Sequence, residues 1–138
     1  MVIKYTTTCL TASSYSVTGV VTLATLSGLT PVGSVWIVET SVQQNSTSNG
    51  NLANYFIEVQ EGNTYASNSG NINGVNIITI GHGYNPSGQT ASKEKGTVDS
   101  GSAVYVVSSK NTTGYLCLGG SFTSTSIAGI LLRATRIA

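Results

Sequence analysis

Apolar residues in this chain recur at every second position in short bursts, and clusters of Gly, Asn and Ser separate the bursts. In residues 54–60, Tyr55, Ile57 and Val59 share one side of an extended chain, while Phe56, Glu58 and Gln60 share the other. Near the C-terminal end Ile130, Leu132 and Ala134 alternate with Leu131 and Arg133. Successive side chains on a strand point to opposite faces, so both patterns describe half-buried strands. Apolar positions at helical spacing are absent from every window of about ten residues. The pattern predicts strands over residues 2–8, 15–26, 34–41, 54–60, 75–80, 102–108, 115–118 and 127–136, about eight in all. Val35-Trp36-Ile37-Val38 is apolar on both faces, so it is expected either to be covered twice or to lie at a subunit contact.

The connections carry their own signals. Asn49-Gly50 and Asn73-Gly74 are turn dipeptides, because Asn and Gly tolerate the positive φ of tight turns. Pro31 and Pro86 fall in connections, where no ladder hydrogen bond is lost. Residues 43–54 have no apolar period and are expected to form an exposed loop. A second long connection, residues 81–99, holds Lys93, Glu94, Lys95 and Asp99. Short strands without helices imply a sandwich or a barrel. Hairpin turns among longer crossovers favour an all-β, antiparallel jelly roll built as one domain over residues 1–138. An immunoglobulin-like sandwich is the alternative, since Cys9, Trp36 and Cys117 stand in the order that fold uses around its buried Trp.

Composition narrows what such a domain can bind. Charged residues make up 8% of the chain, against about 25% in an ordinary soluble domain. Six basic residues against five acidic ones, scattered along the length, make no stripe for phosphates and no patch for an anionic membrane. Neither nucleic acid nor a membrane is therefore an expected partner. A soluble monomer usually keeps itself dispersed with a well-charged surface; so poor a charge complement implies that part of this surface is covered by another protein. The N-terminal residues Met1 to Thr8 lack the pattern of a signal peptide. The expectation is synthesis in a host cytoplasm, with Cys9 and Cys117 as buried thiols rather than a disulfide.

Catalytic groups are thin. His82, the single histidine, lies in Gly81-His82-Gly83-Tyr84 with no carboxylate or nucleophile nearby in sequence, which suits a loop residue better than a general base. Glu58 and Glu61 would fall on opposite faces of one strand and Glu39 on another, so solvated strand-face charges are expected rather than a glycosidase pair. Metal ligands do not cluster. Tyr65, Tyr84 and Tyr115 lie beside polar stretches where rings could stack on sugars, although Tyr in strands more often packs inward. The sequons at Asn45 and Asn111 are read as incidental. No catalytic, cofactor-binding or metal residue is expected.

The stretch from Ser121 through Phe122, Ala128 and Gly129 to Leu132 resembles the closing strand of tumour-necrosis-factor-like jelly rolls, over about a tenth of the chain. More broadly, the low charge and Ser/Thr/Gly/Asn-rich strands are similar to the small cementing or decoration proteins of tailed-bacteriophage capsids. That resemblance carries over no functional residue. It implies a non-enzymatic virion protein on the outer capsid surface, a homodimer or homotrimer bridging neighbouring major capsid subunits. A carbohydrate- or receptor-binding unit such as a tail-fibre tip shares the composition and is the alternative. The partner interface is expected at Val2, Ile3, Tyr5, Trp36 and Ile137.

Overall fold

The computed structural model describes residues 5–10, 15–44, 56–66, 76–80 and 98–138. Most belong to seven strands: β1 (Tyr5–Leu10), β2 (Tyr15–Leu26), β3 (Val35–Gln44), β4 (Phe56–Glu61), β5 (Asn76–Ile80), β6 (Val98–Val106) and β7 (Leu116–Arg136). Every pairing among them is antiparallel.

β7 organises the rest. It runs for 21 residues and has neighbours along both sides. Its C-terminal half lies between β1 and β3, with Leu10 and Val42 both opposite Ile130. Its N-terminal half lies between β2 and β4, with Leu26 and Glu61 both opposite Leu116. β6 then pairs with β3, and β5 with β4. The result is two sheets, β1–β7–β3–β6 and β2–β7–β4–β5, joined through the one long strand. A long antiparallel ribbon folded over on itself has this connectivity, which is that of the jelly roll. The expected last two strands are fused: the polar run from Gly119 to Ser126 reads as a loop, yet it pairs with β2 from Thr22 back to Ser16. A ladder partner overrides weak strand propensity there.

Alternation decides the core. Trp36, Val38, Val42, Ile130, Leu132 and Ala134 from the first sheet meet Leu26, Ile57, Val59, Leu116 and Leu118 from the second in one apolar cluster. The sheets approach closely at Gly101 of β6, where a Cβ would stand 2.7 Å from Ile80 and 3.0 Å from Ile78 of β5. β2 needs a correction to its phase. Register shifts lie between Val17 and Gly19 and between Thr22 and Ala24, and Gly19 adopts φ 77° at the first. An extra residue at a bulge moves the inward set by one position, so Val21 and Leu23 lean on the core above the second shift while Ala24 and Leu26 enter it below.

The turn between β2 and β3 is tied to the one between β6 and β7. Leu29 N–H donates to the Gly114 carbonyl at 3.0 Å, and Val107 N–H to the Ser34 carbonyl at 3.0 Å. Trp36 Nε1 donates to Ser34 Oγ at 2.8 Å, which donates to the Pro31 carbonyl at 2.6 Å. The ladders place Cys9 opposite Leu131 and Cys117 opposite Thr25, in different halves of β7. That separation leaves no basis for the disulfide of an immunoglobulin-like sandwich, and Cys117 is a buried thiol.

Candidate binding surface

The acidic residues of β4 do not sit where a solvated strand face would put them. Ile57 and Val59 point into the sandwich, and Glu61 follows them; Glu58 and Gln60 point to the other face. Glu58 is nevertheless only 1% exposed and Glu61 2%, which corrects the expectation of surface charges. For Glu58 the cause is the segment after β4. Residues 62–66 turn back over the outer face of the sheet and seat Tyr65 directly over Gly119, where any Cβ would collide with the tyrosine and with the Val21 carbonyl. Tyr65 N–H donates to Thr22 Oγ1 at 2.9 Å, and its hydroxyl donates to Glu58 Oε1 at 2.5 Å. Gln60 is held by Ala66 N–H at 3.1 Å and donates to Asn76 Oδ1 at 2.8 Å. Burial raises the Glu58 carboxyl above the usual carboxylate range, although hydrogen bonds from Tyr65 and Asn76 pull the other way. Burial, together with the Glu58 bond, also pushes the Tyr65 hydroxyl far up.

Glu61 ties the two sheets together. It accepts from the Tyr105 hydroxyl of β6 at 2.5 Å. Asn111 Nδ2 donates to the same hydroxyl oxygen at 3.0 Å and to the Tyr115 carbonyl at 2.9 Å. Burial first, and the bond to Glu61 second, push the Tyr105 hydroxyl up to about 12. Glu58 and Glu61 thus face buried tyrosines on opposite sides of β4. Tyr105→Phe removes the hydroxyl and leaves the Glu61 carboxylate buried without that donor. The expected loss is about 1–3 kcal/mol of stability, seen as a lower urea midpoint at pH 7; an unchanged midpoint would show that the tie is not stabilising.

The outer face of β1–β7–β3–β6 has the opposite character. Alternation turns Tyr105 inward and Val98, Ser100, Ser102, Val104 and Val106 outward. Val104 is 65% exposed, Val98 56% and Val106 53%. Val104 lies opposite Ile37, which is also exposed, and Val106 opposite the half-buried Val35, so the aliphatic rows continue onto β3. Ile137 is exposed just past β7, with its N–H bonded to the Val35 carbonyl at 2.8 Å. Scattered surface aliphatics are ordinary, but a contiguous row on one face marks a contact site. One register further, Glu39 faces Ser102 on one side and Arg133 on the other. Arg133 donates Nε to Glu39 Oε1 at 3.1 Å and Nη2 to Oε2 at 2.7 Å, and this holds the Glu39 carboxyl below its ordinary range. The pair is about one-third exposed (34% and 36%), so it adds little to stability while cancelling in charge. Beside it Glu39, Ser41, Ser100, Ser102 and Leu131 line a shallow depression.

The interface residues expected from the sequence fare unevenly. Trp36 is corrected: even-numbered positions of β3 face the core, and Trp36 is wholly buried there. Ile137 is exposed. Tyr5 opens β1 opposite Thr135. Val2 and Ile3 lie outside the described residues, as do Asn45, His82, Tyr84, Pro86 and Lys93 to Lys95. Tyr65 is buried rather than available to a sugar, and Tyr115 is half-buried. Asn111 is buried with Nδ2 engaged twice, which removes its sequon from consideration. Among the described residues no three His, Cys, Asp or Glu side chains group as metal ligands would. Val98, Val104 and Val106 were not among the expected residues. Both phases of Val104-Tyr105-Val106-Val107 are apolar, so alternation alone does not say which one faces water.

No protein-family model matches this chain, and no curated protein does. Among solved structures it is similar to a chain in the structure of infectious bursal disease virus Gx strain, at 15% identity and a TM-score of 0.46. The match covers 98% of this chain and spans 32% of that one.

Proposed function

We propose that this chain is a non-enzymatic structural protein of a virion, a cement or decoration subunit that binds the outer surface of an assembled shell and bridges neighbouring major capsid subunits. The observation that carries the reading is the exposed aliphatic cluster Val104, Val106 and Ile37 on a rigid sheet. Protein interfaces place such apolar anchors at the centre and polar groups at the rim; here Ser100, Ser102, Ser41 and the Glu39–Arg133 pair supply the rim. A specific contact buries about 1,200–2,000 Å² in total. A rigid sandwich loses little conformational freedom on docking, and touching two shell subunits makes the second contact effectively intramolecular. The low charge and Ser/Thr-rich strands support the same reading.

Cosedimentation with assembled shells of the major capsid protein encoded in the same genome tests it. Saturable binding is expected, and Val104→Asp should weaken it about tenfold or more by placing a charge in the apolar centre. Wild-type protein that stays in the supernatant, or a Val104→Asp variant that binds equally well, would overturn the proposal. The hydroxyl-lined depression beside Glu39 favours a second reading, a carbohydrate- or receptor-binding unit. Loss of glycan binding in Glu39→Ala, with shell binding absent, would select it.

A further inference from the structure

The geometry points to a second copy of this chain as the occupant of the β6 edge: two β6 strands pair antiparallel about a twofold axis at Ser102, joining two sandwiches through one continuous sheet. This deepens the assembly reading by naming a partner, and it rests on that reading only in taking the outer face as a protein contact.

Among the described residues β6 is an open edge. Among the described residues it pairs with β3 alone, in an unbroken register from Val98 opposite Gln43 to Val106 opposite Val35. Val107 N–H donates to the Ser34 carbonyl, one step past that ladder. In an antiparallel pair both backbone groups of a residue point the same way and alternate along the strand. Odd-numbered residues of β6 therefore bond toward β3. The N–H and C=O of Val98, Ser100, Ser102, Val104 and Val106 face away from it. Natural sheets blunt such an edge with short strands, bulges, proline or charge. The other outer strands use these devices: β1 has 6 residues and β5 has 5, and β2 carries two register shifts. β6 has nine residues, no register shift against β3, no proline and one charge, Asp99, whose backbone turns toward β3.

The edge can also pair with itself. Full antiparallel overlap sets Val98 against Val106 of the second copy, Ser100 against Val104, and Ser102 against its own counterpart. Valines meet at both ends, the two Ser102 hydroxyls meet at the centre, and Ser100 lies beside Val104 between them. No like charges face each other, because Glu39 lies one strand further back in each copy and is already bonded to Arg133. A register displaced by two residues leaves a terminal valine of each copy unpaired. The even-numbered residues supply both backbone groups at every matched position, as mutually bonded antiparallel pairs require.

Light scattering over a concentration series reads the outcome against the 14.2 kDa chain. Wild-type protein is expected to reach the dimer mass, and Ser102→Pro should raise the dissociation constant at least about tenfold, since it removes an edge N–H while sparing every bond to β3. Cross-linking guards against a misfolded proline variant. In a Cys9→Ser background, Ser102→Cys should form a disulfide dimer on mild oxidation, because mutually bonded antiparallel residues stand about 5.5 Å apart at Cα, within disulfide range. Val20→Cys, exposed on β2, should not. A wild-type chain that stays monomeric at every concentration would overturn the inference. So would a dimer that Ser102→Pro leaves intact and Ser102→Cys does not link. A monomer that still sediments with shells defeats β6 pairing and leaves the cement reading standing; a β6 dimer indifferent to shells does the reverse.

Discussion

Trp36→Ala lowers the free energy of unfolding by about 3–5 kcal/mol, the range for deleting a fully buried large aromatic side chain. Trp36 is completely buried between the two sheets. Its removal opens a cavity in the buried cluster, which strands held by continuous ladders cannot easily close. The substitution also takes the Nε1 donor from Ser34 Oγ, which anchors the turn through Pro31. A domain of this size has about 5–15 kcal/mol in total, so the variant should be largely unfolded in modest urea. Trp36→Phe keeps most of the volume, forfeits the hydrogen bond, and should cost markedly less. Because the chain has one Trp, both transitions are followed by far-ultraviolet circular dichroism rather than by fluorescence. Equal midpoints for wild type and Trp36→Ala would contradict the burial.

Gly119→Val carries the second large effect, and its size depends on pH. A Cβ at this position meets Tyr65 and the Val21 carbonyl together. Neither a Cβ atom nor a backbone oxygen can rotate away, so the segment over 62–66 must lift. The loss of a buried aromatic costs about 3–5 kcal/mol, less whatever Glu58 regains by returning to water. That recovery has a definite sign. The Glu58 carboxyl is raised from 4.5 in the folded protein, first by burial. The folded state therefore holds its proton when the unfolded state has released it, and stability falls as pH rises from 4.5 through the raised value. The penalty is absent at pH 4 and present above the folded value. Gly119→Val should accordingly be more destabilising at pH 4 than at pH 7. Glu58→Gln should remove the downward slope above pH 4.5 and gain on wild type at neutral pH. Glu39 acts in a different window: its carboxyl is lowered by Arg133, so its small contribution is complete above 4.5 and fades below. Urea midpoints at pH 4, 5, 6 and 7 for the three proteins check this. A wild-type midpoint that does not decline above pH 4.5, or a Glu58→Gln profile that runs parallel to it, would contradict the assignment.

The strands were legible where one face alone is buried. Residues 15–26 form β2 as expected, and the Ile130, Leu132, Ala134 phase of β7 points inward as alternation required. The jelly roll followed from short strands and the absence of helical spacing; the turn dipeptides Asn49-Gly50 and Asn73-Gly74 lie outside the described residues. Three features were not legible, each because a distant segment decided it. Gly119 to Ser126 looks like a loop until β2 lies alongside. Glu58 looks solvated until Tyr65, seven residues on, folds across it. The outward phase of β6 is undetermined in a sequence where Tyr105 and Val107 are as apolar as Val104 and Val106; the Glu61 carboxylate across the sandwich fixes it by accepting from Tyr105. Trp36 was misplaced for a related reason, since a strand apolar on both faces does not announce which half of it meets the partner.

Amide hydrogen exchange over residues 98–106, resolved by position, tests most directly whether the β6 edge works by being covered. The odd-numbered amides, bonded to β3, should be protected in dilute protein and in the assembled particle alike. Those of Ser100, Ser102, Val104 and Val106 should exchange freely in the dilute chain and become protected on the particle. Even-numbered amides that exchange as fast in the particle as in the dilute chain would show that β6 faces water in both, and would contradict the account.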